Sequence, residues 1–181
     1  MTGAPGAPAA FLQRHVDDIL GAGGIALDLA CGRGRNARFL ARLGQRVLAI
    51  DRNPESLGEL AAASAGLPLQ AVRSDIEREH GIPLKTGSCK TILVFHFLFR
   101  PLSAEITRVL APGGSLFYET FTTDQRALGH GPRRAAFLLR PGELATLFPE
   151  LRTLAFEEGT TDGPRPRATA RLWARKSAGP T

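Results

Sequence analysis

Short apolar runs alternate with amphipathic stretches along most of the chain. Apolar or alternating runs predict β-strands at residues 25–30, 46–50, 69–73, 91–97, 115–120, 151–158 and 168–176. Between them, apolar side chains recur at intervals of three and four residues, which predicts helices at residues 11–20, 36–43, 53–64, 101–110 and 141–148. Strands that alternate with helices are typical of a doubly wound sheet whose strands run parallel.

The last two predicted strands are separated by a Gly- and Pro-rich turn and not by a helix. Strands joined in this way pair antiparallel, because a parallel crossover needs a longer connection. We therefore expect an α/β fold with a seven-stranded, doubly wound sheet that is mostly parallel and ends in an antiparallel hairpin at its C-terminal edge. In this interpretation residues 1–181 form a single domain, with residues 1–8 and 177–181 as disordered tails.

The composition narrows the class of protein. The 181 residues are 43% hydrophobic, and no apolar run approaches the roughly 20 residues that span a bilayer. Residues 1–15 lack the basic and apolar regions of a signal peptide, and Cys31 and Cys89 are too few for a disulfide framework. We therefore expect a cytoplasmic protein that does not span a membrane and acts as a monomer or homodimer.

The net charge of +6 raises the question of a nucleic-acid partner. Nearly all of the 23 basic residues are Arg, and they are scattered among abundant Ala, Gly and Pro. That mixture is typical of a GC-rich genome, so the charge alone supports a nucleic-acid surface only weakly.

The segment LDLACGRGRNA at residues 27–37 joins the first predicted strand to a helix. Gly32 and Gly34 allow a sharp turn and a close approach of the backbone to a ligand, while the helix start presents free N–H groups. The next strand leads to Asp51, where an acid can accept hydrogen bonds from both hydroxyls of a ribose. The layout predicts a nucleoside-binding βαβ unit. The alternative for Asp51 is a turn-forming role before the Asn-Pro pair that starts the next helix.

Asp28 distinguishes two kinds of cofactor. A carboxylate beside the glycine turn disfavours the pyrophosphate of a dinucleotide, because like charges repel at short range. A nucleoside that bears an amino acid carries an ammonium group, which Asp28 would attract directly or through water.

Four segments together resemble the class I S-adenosylmethionine-dependent methyltransferases. They are LDLACGRGRNA, AIDRNPESL, SDIE and LAPGGSLFYETF. The resemblance covers residues 11–176 and is closest to small bacterial proteins of the tellurite-resistance-like kind. It implies a Rossmann-like fold, S-adenosyl-L-methionine as methyl donor and S-adenosyl-L-homocysteine as product. Lys90 departs from the family pattern, since many members have an acidic residue leading into the fourth strand.

The resemblance implies which residues surround the amino-acid part of the cofactor. Around the methionine part these are Asp28, Ala30, Gly32 and Gly34. Asn36 is a further expected cofactor contact, and Phe95 and His96 would lie beside the reactive sulfonium. Arg33 and Arg35 stand at a helix N-terminus, where positive charge is unfavourable, which predicts a carboxylate partner nearby.

The nucleoside part of the cofactor has its own expected contacts. By the same resemblance, Asp51 would hold the ribose and Arg52 would lie against the adenine face. Asp75 would meet the adenine amino group, and Ile76 would pack beside the ring. The alternative for Asp75 is a loop carboxylate that caps a turn.

Candidate catalytic residues lie where the fourth and fifth strands end, since ligands of doubly wound sheets bind at the carboxyl ends of strands. His96 is the candidate general base, because its unperturbed pKa is about 6.5. Tyr118 is a second candidate, and Tyr118 and Glu119 are expected to contact substrate. The alternatives are a His96 bonded to backbone and a Tyr118 that packs within its strand. Residues 122–140 are an expected substrate lid, and the expected anion-accepting rim is Arg100, Arg126, Arg133, Arg134 and Arg140.

These features predict methyl transfer to a small-molecule acceptor. The chain has no Asn-Pro-Pro-Tyr-type signature of amide or base methylation and no room for an appended RNA-binding domain. The alternatives are an NAD-dependent oxidoreductase and a cofactor-binding protein that acts on nucleic acid. Asp28, the Pro-Gly-Gly turn at 112–114 and the lack of a Tyr-x-x-x-Lys pair speak against the oxidoreductase. No metal site is expected.

Overall fold

One mixed sheet organises the computed structural model, which describes residues 6–78, 81–162 and 164–179. The strands are β1 (Ile25–Leu29), β2 (Arg46–Asp51), β3 (Leu69–Arg73), β4 (Cys89–Phe95), β5 (Leu110–Phe121), β6 (Leu151–Thr160) and β7 (Ala168–Lys176). Their order across the seven-stranded sheet is β3-β2-β1-β4-β5-β7-β6. The first five strands pair parallel, and β7 pairs antiparallel with both β5 and β6. The predicted α/β fold with an antiparallel edge hairpin is confirmed.

The helices are shorter than the pattern predicts. They are α1 (Ala10–Arg14), α2 (Val16–Ala22), α3 (Arg35–Arg42), α4 (Pro54–Ala62), α5 (Ser103–Val109) and α6 (Glu143–Thr146), with 3-10 turns at Arg100–Leu102, Thr123–Leu128 and Ala135–Phe137. The expectation of a single helix over residues 11–20 was wrong, because the backbone leaves the helical region at His15, with φ −116° and ψ 19°. The His15 ring lies 4.6 Å from the Trp173 ring, between centroids, so the break accompanies a contact with β7.

The Pro-Gly-Gly sequence forms a bulge inside β5 and not a turn before it. Cys89 pairs with Leu110, but the next pair is Thr91 with Ser115, so extra residues are accommodated on β5. A Cβ added at Gly114 would lie 2.8 Å from the Ala111 carbonyl oxygen, which explains why glycine occupies this position. The bulge therefore sets the register in which the rest of β5, from Ser115 onward, pairs with β4.

Two hydrophobic clusters cover the two faces of the sheet. Phe11, Leu40 and Phe117 belong to the cluster under α1 and α3. Leu116 and Tyr118 belong to the cluster on the opposite face, together with residues of α5 and α6. Because successive strand residues point to opposite faces, β5 contributes to both clusters in alternation. The sheet is therefore buried on both sides, as parallel sheets usually are.

Parts of the expected tails lie outside the described residues, namely 1–5 and 180–181. The described parts make hydrogen bonds with the body of the protein. Arg35 donates to the Ala7 carbonyl at 3.3 Å, Gln13 donates to the Pro8 carbonyl at 3.1 Å, and the Gly113 amide donates to the Ser177 carbonyl at 3.3 Å. Within the described ranges, no helix has the length and apolar character needed to cross a membrane.

Candidate functional site

The carboxyl ends of β1, β2 and β4 open onto two adjoining cavities of about 380 and 260 Å³. Ala30 and His96 line both cavities and so form the boundary between them. The larger cavity is lined, among others, by Asp28, Gly32, Gly34, Asn36 and Phe95. The smaller cavity is lined, among others, by Asp51, Arg52, Asp75 and Ile76. The structure thus brings together all ten residues expected to contact the cofactor.

The two boundary residues have strained backbones. Ala30 has φ +52° and His96 has φ +59°, and they are the non-glycine residues with positive φ in the described part of the chain. Each such conformation costs on the order of 1–3 kcal/mol and persists only where the surroundings enforce it. The strain falls at the point where the two cavities meet, immediately after β1 and β4.

The glycine turn requires glycine for two different reasons. Gly32 has φ +54° and Gly34 has φ +67°, both in the left-handed region. A Cβ on Gly34 would also collide with the side chain of Leu60 from α4. The turn is therefore packed directly against a helix, and its path over the cavity is fixed.

Asp51 holds the glycine turn while keeping part of its own capacity free. Its Oδ2 accepts a hydrogen bond from the Gly32 amide at 2.7 Å, and its Oδ1 accepts one from the Asn53 amide at 2.8 Å. A carboxylate offers about four acceptor positions, so the side chain can accept further donors from the cavity. Asp51 fits both expectations, the turn-forming role and the ability to accept ribose hydroxyls.

Asp28 stabilises the start of α3 from the neighbouring strand. It is 2% exposed, and its Oδ2 accepts a hydrogen bond from the Ala37 amide at 3.1 Å. Gly34, which precedes α3, has no side chain for this capping role. Burial raises the pKa of Asp28 to about 7, although the hydrogen bond from the Ala37 amide acts in the opposite direction and lowers it. The carboxylate is costly to ionise here, and a cation in the cavity would reduce that cost.

The smaller cavity is bordered by linked charges. Asp75 accepts hydrogen bonds from the Glu77 amide at 3.2 Å and from Arg78 Nε at 3.1 Å, and its pKa is lowered, first by the Glu77 hydrogen bond. Arg52 donates to Glu77 Oε2 at 3.3 Å. Ile76 is buried beside them and supplies an apolar wall. A flat apolar ring with polar edges would suit this cavity.

The arginines beside the glycine turn have different partners. Arg33 forms an ion pair with Glu59 at 2.9 Å, which confirms the predicted carboxylate partner for that residue. Arg35 instead donates to the Ala7 carbonyl. Asn36 is buried, and its Oδ1 accepts a hydrogen bond from the Ala9 amide at 3.0 Å, so it anchors the segment before α1 to α3.

His96 lies beside a buried carboxylate. Its Nε2 is 3.4 Å from Glu119 Oε1, an ion-pair distance for a protonated ring, and its ring stacks on Phe121 with centroids 4.9 Å apart. Glu119 is 7% exposed and also accepts a hydrogen bond from Arg171 at 2.9 Å. Burial would raise the pKa of Glu119, but His96 and Arg171 outweigh it and lower that pKa. Glu119 therefore stays ionised beside His96.

The structure does not bring Tyr118 to either cavity. Tyr118 is 3% exposed on the opposite face of β5, where it packs against Phe148. Its hydroxyl donates to the Phe97 carbonyl at 3.0 Å, and burial raises its pKa. This arrangement matches the packing alternative for Tyr118.

Residues 122–140 also lie outside the linings of the two cavities. The segment is joined to the body at both ends, since the Thr122 amide donates to the Ala168 carbonyl at 3.0 Å and the Leu139 amide donates to the Phe121 carbonyl at 2.9 Å. Arg100, one of the expected rim residues, pairs with Glu143 and donates to the Leu138 carbonyl at 2.9 Å. Its charge is therefore engaged in holding the segment.

Among the described residues, no three His, Cys, Asp or Glu side chains are grouped to hold a metal ion. Sequence reasoning missed Arg167. This residue lies in the turn between β6 and β7 and comes close to Arg35. No local sequence signal marks it, because the two residues are far apart along the chain.

The part of the chain that contains this site is similar to a known protein family. Residues 26–114 match a family model described as a methyltransferase domain. This part of the chain is therefore similar to methyltransferase domains. The matched region runs from β1 to the bulge in β5 and contains all ten expected cofactor residues. A search of curated protein sequences gives no match.

Solved structures share the fold of this chain. A S-adenosylmethionine-dependent methyltransferase from Methanosarcina mazei aligns at 18% identity over 90% of this chain and 97% of its own, with a TM-score of 0.73. One from Mesorhizobium loti aligns at 18% identity over 93% and 99%, with a TM-score of 0.72. TehB from Haemophilus influenzae aligns at 20% identity over 91% of this chain and 62% of its own, with a TM-score of 0.74. The chain thus has the fold of S-adenosylmethionine-dependent methyltransferases.

Proposed function

We propose that this protein transfers a methyl group from S-adenosyl-L-methionine to a small-molecule acceptor and releases S-adenosyl-L-homocysteine. The observation that carries the proposal is the pair of adjoining cavities that meet at Ala30 and His96. One cavity is bordered by the glycine turn and the other by Asp51 and Asp75. This division suits a ligand with an amino-acid part and a nucleoside part.

The residues present fit that cofactor. Asp51 retains acceptor capacity for ribose hydroxyls, and Ile76 offers an apolar surface to adenine with Asp75 beside it. Asp28, with its pKa raised by burial, would bind the ammonium group of the methionine part. When bound, the cofactor supplies an electrophilic methyl group on a sulfonium.

The chain's own residues would mainly align the two reactants. Correct positioning alone can contribute about 7–11 kcal/mol to lowering a barrier of this kind. If the acceptor arrives protonated, His96 would take its proton at Nδ1, and Glu119, 3.4 Å from Nε2, would stabilise the resulting positive charge. Arg171 keeps Glu119 ionised for that task.

The dinucleotide alternative has less support. Asp28 and Asp51 both lie at the glycine turn, and Asp51 already accepts the Gly32 amide that a pyrophosphate would need. A pyrophosphate placed there would meet two carboxylates at short range.

Isothermal titration calorimetry with S-adenosyl-L-homocysteine and, separately, with NAD tests the cofactor. We expect the homocysteine ligand to bind in the low micromolar range and Asp51→Ala to weaken it by about tenfold or more, since hydrogen bonds to a charged group are lost. Asp17→Ala removes an exposed carboxylate from α2 and is the matched control, with unchanged affinity. Binding of NAD without S-adenosyl-L-homocysteine would overturn the proposal.

The acceptor class is tested separately with S-adenosyl-L-methionine labelled in its methyl group. The protein is incubated with cell extract that has been divided into metabolite, protein and RNA fractions. With the wild-type protein we expect label in the metabolite fraction. If the acceptor must lose a proton, we expect no label with His96→Ala. Label confined to RNA or protein would show that the acceptor is macromolecular.

A further inference from the structure

A third cavity, of about 720 Å³, lies beside the larger of the two cofactor cavities. Arg35 lines both of them and so stands at their junction. The cavity is enclosed by residues 6–11, by β7 and by the turn that joins β6 to β7. Glu119, the partner of His96, is also in its wall. The third cavity therefore adjoins the larger cofactor cavity at Arg35, and its wall includes the carboxylate that faces His96.

The wall of this cavity carries more positive than negative charge. Its charged residues are Arg14, Arg35, Arg165, Arg167, Arg171, Glu119 and Glu157. Glu157 pairs with Arg14 at 2.8 Å and lies 3.5 Å from Arg171. Glu119 pairs with Arg171 at 2.9 Å. Both carboxylates are thus engaged, which leaves a surplus of arginine charge.

Two arginines that contribute to this surplus of positive charge, Arg35 and Arg167, are half-buried. In the part of the chain that the structure describes, neither forms an ion pair with a carboxylate. Burial lowers the pKa of Arg35, Glu119 opposes this, and the positive charge of Arg167 lowers the pKa further. Arg35 is also the first residue of α3, where the helix dipole disfavours a cation. A bound anion would relieve each of these unfavourable interactions.

We propose that the third cavity is the acceptor site and that Arg35 and Arg167 together bind an oxyanion of the acceptor, a carboxylate or a phosphate. The guanidinium group suits both, because its planar fork donates two parallel hydrogen bonds to either. An acceptor bound there lies beside Glu119, the carboxylate that faces His96. The role of this oxyanion in methyl transfer rests on the function proposed above, whereas the oxyanion site itself does not.

Calorimetric titration with two probes tests the site without measuring methyl transfer. The probes are malonate and inorganic phosphate, each added at constant ionic strength to the whole protein. We expect at least one to bind, and the tighter of the two identifies the kind of oxyanion. Arg167→Gln should weaken that binding by about tenfold or more, since a charge-assisted contact is lost. Arg152→Gln removes an equal charge from an exposed position on β6 and should leave the affinity unchanged.

The backbone amide of Arg167 bonds to Thr161 Oγ1 at 3.0 Å, and substitution of its side chain leaves that contact in place. Thermal unfolding of both variants checks that they are folded. Arg35→Gln should also weaken binding of the probe, because both arginines are assigned to one oxyanion. The proposal is wrong if neither probe binds, or if Arg152→Gln weakens binding as much as Arg167→Gln.

S-adenosyl-L-homocysteine is titrated into the same Arg167→Gln protein. Unchanged affinity for this ligand, with weaker malonate or phosphate, shows that the cofactor and the oxyanion have separate sites. If the oxyanion binds but S-adenosyl-L-homocysteine binds to no form of the protein, the function proposed above fails while the oxyanion site stands.

Discussion

Asp51 at the end of β2 accepts a hydrogen bond from the Gly32 amide, 2.7 Å away in the turn that follows β1. One side chain therefore borders the smaller cavity and also fixes the wall of the larger one. The same carboxylate accepts the Asn53 amide before α4. This connection means that the two cavities are held in register before any ligand binds, which reduces the ordering cost of binding.

Gly34→Ala should destabilise the protein strongly. The substitution places a Cβ against Leu60 and forces alanine to φ +67°, so a steric penalty adds to the backbone penalty. We expect a loss of about 2–4 kcal/mol in the free energy of unfolding, measured by urea titration. Gly44→Ala is the matched control, because Gly44 has φ +85° but nothing within 4 Å of the added Cβ. Equal losses in both variants would contradict a steric role for Leu60.

Asp28→Asn should change how stability depends on pH. The folded protein raises the pKa of Asp28 from 3.8 to about 7, so it binds that proton more tightly than the unfolded chain does. The resulting stabilisation is complete below pH 3.8 and is lost as the pH rises to about 7. An asparagine keeps an oxygen for the Ala37 amide and carries no charge, so the variant should be more stable than the wild type at pH 8, by about 1 kcal/mol or more.

The same variant should bind S-adenosyl-L-homocysteine less well at pH 8, because the charge that would attract the ammonium group is gone. Denaturant titration and calorimetry on one protein sample give both quantities. Asp17→Asn on α2 controls for the change in net charge. A variant that is more stable and binds equally well would leave Asp28 with its capping role alone.

Glu119→Gln should destabilise the protein, because it leaves the half-buried Arg171 without its nearer carboxylate partner. Arg171 keeps its contact with Glu157 at 3.5 Å, so we expect a cost of about 1.5–3 kcal/mol, the size of one lost hydrogen bond to a charged group. The folded protein lowers the pKa of Glu119, so its contribution is present at neutral pH and disappears as the pH falls through the range in which glutamate titrates. Acid titration followed by circular dichroism should show a weaker loss of stability below neutral pH in the variant than in the wild type.

Tyr118→Phe should leave methyl transfer unchanged and remove the hydrogen bond to the Phe97 carbonyl. The expected cost is about 1 kcal/mol in the free energy of unfolding, with a further penalty because the Phe97 carbonyl loses its donor. Thermal unfolding and a methyl-transfer assay measure the two effects. A large fall in kcat with little change in stability would restore Tyr118 as a catalytic residue.

The mostly parallel sheet and the residues that line the two cavities were predictable from the sequence for a local reason. Asp28, Gly32 and Gly34 lie within a few residues of one another, and Asp51 marks the end of the next apolar run. Each signal is short, and the parallel pairing of β1 with β2 brings the signals to one edge of the sheet. The break at His15 carries no such signal, and the residue that His15 contacts there, Trp173, lies at the other end of the chain.

The sequence also did not show which of the two neighbours, Tyr118 or Glu119, points toward the site. The period of two residues in a strand places them on opposite faces, but β5 is buried on both faces, so its pattern does not tell which face borders the site. Arg35 and Arg167 pose the same difficulty. They approach each other only after β7 has paired with β5, and scattered arginines give no hint of which two will meet.

The position of β7 has a consequence for how the protein is made. β7 follows β6 in the chain but lies between β5 and β6 in the sheet. During synthesis β6 therefore emerges before the strand that will join it to the rest of the sheet, and its hydrogen-bonding edge waits for β7 to leave the ribosome. The wall of the third cavity and the Glu119–Arg171 pair are completed at the same moment. The half of the molecule that lines the two cavities proposed for the cofactor can assemble early in translation, whereas the half that we assign to the acceptor is finished last.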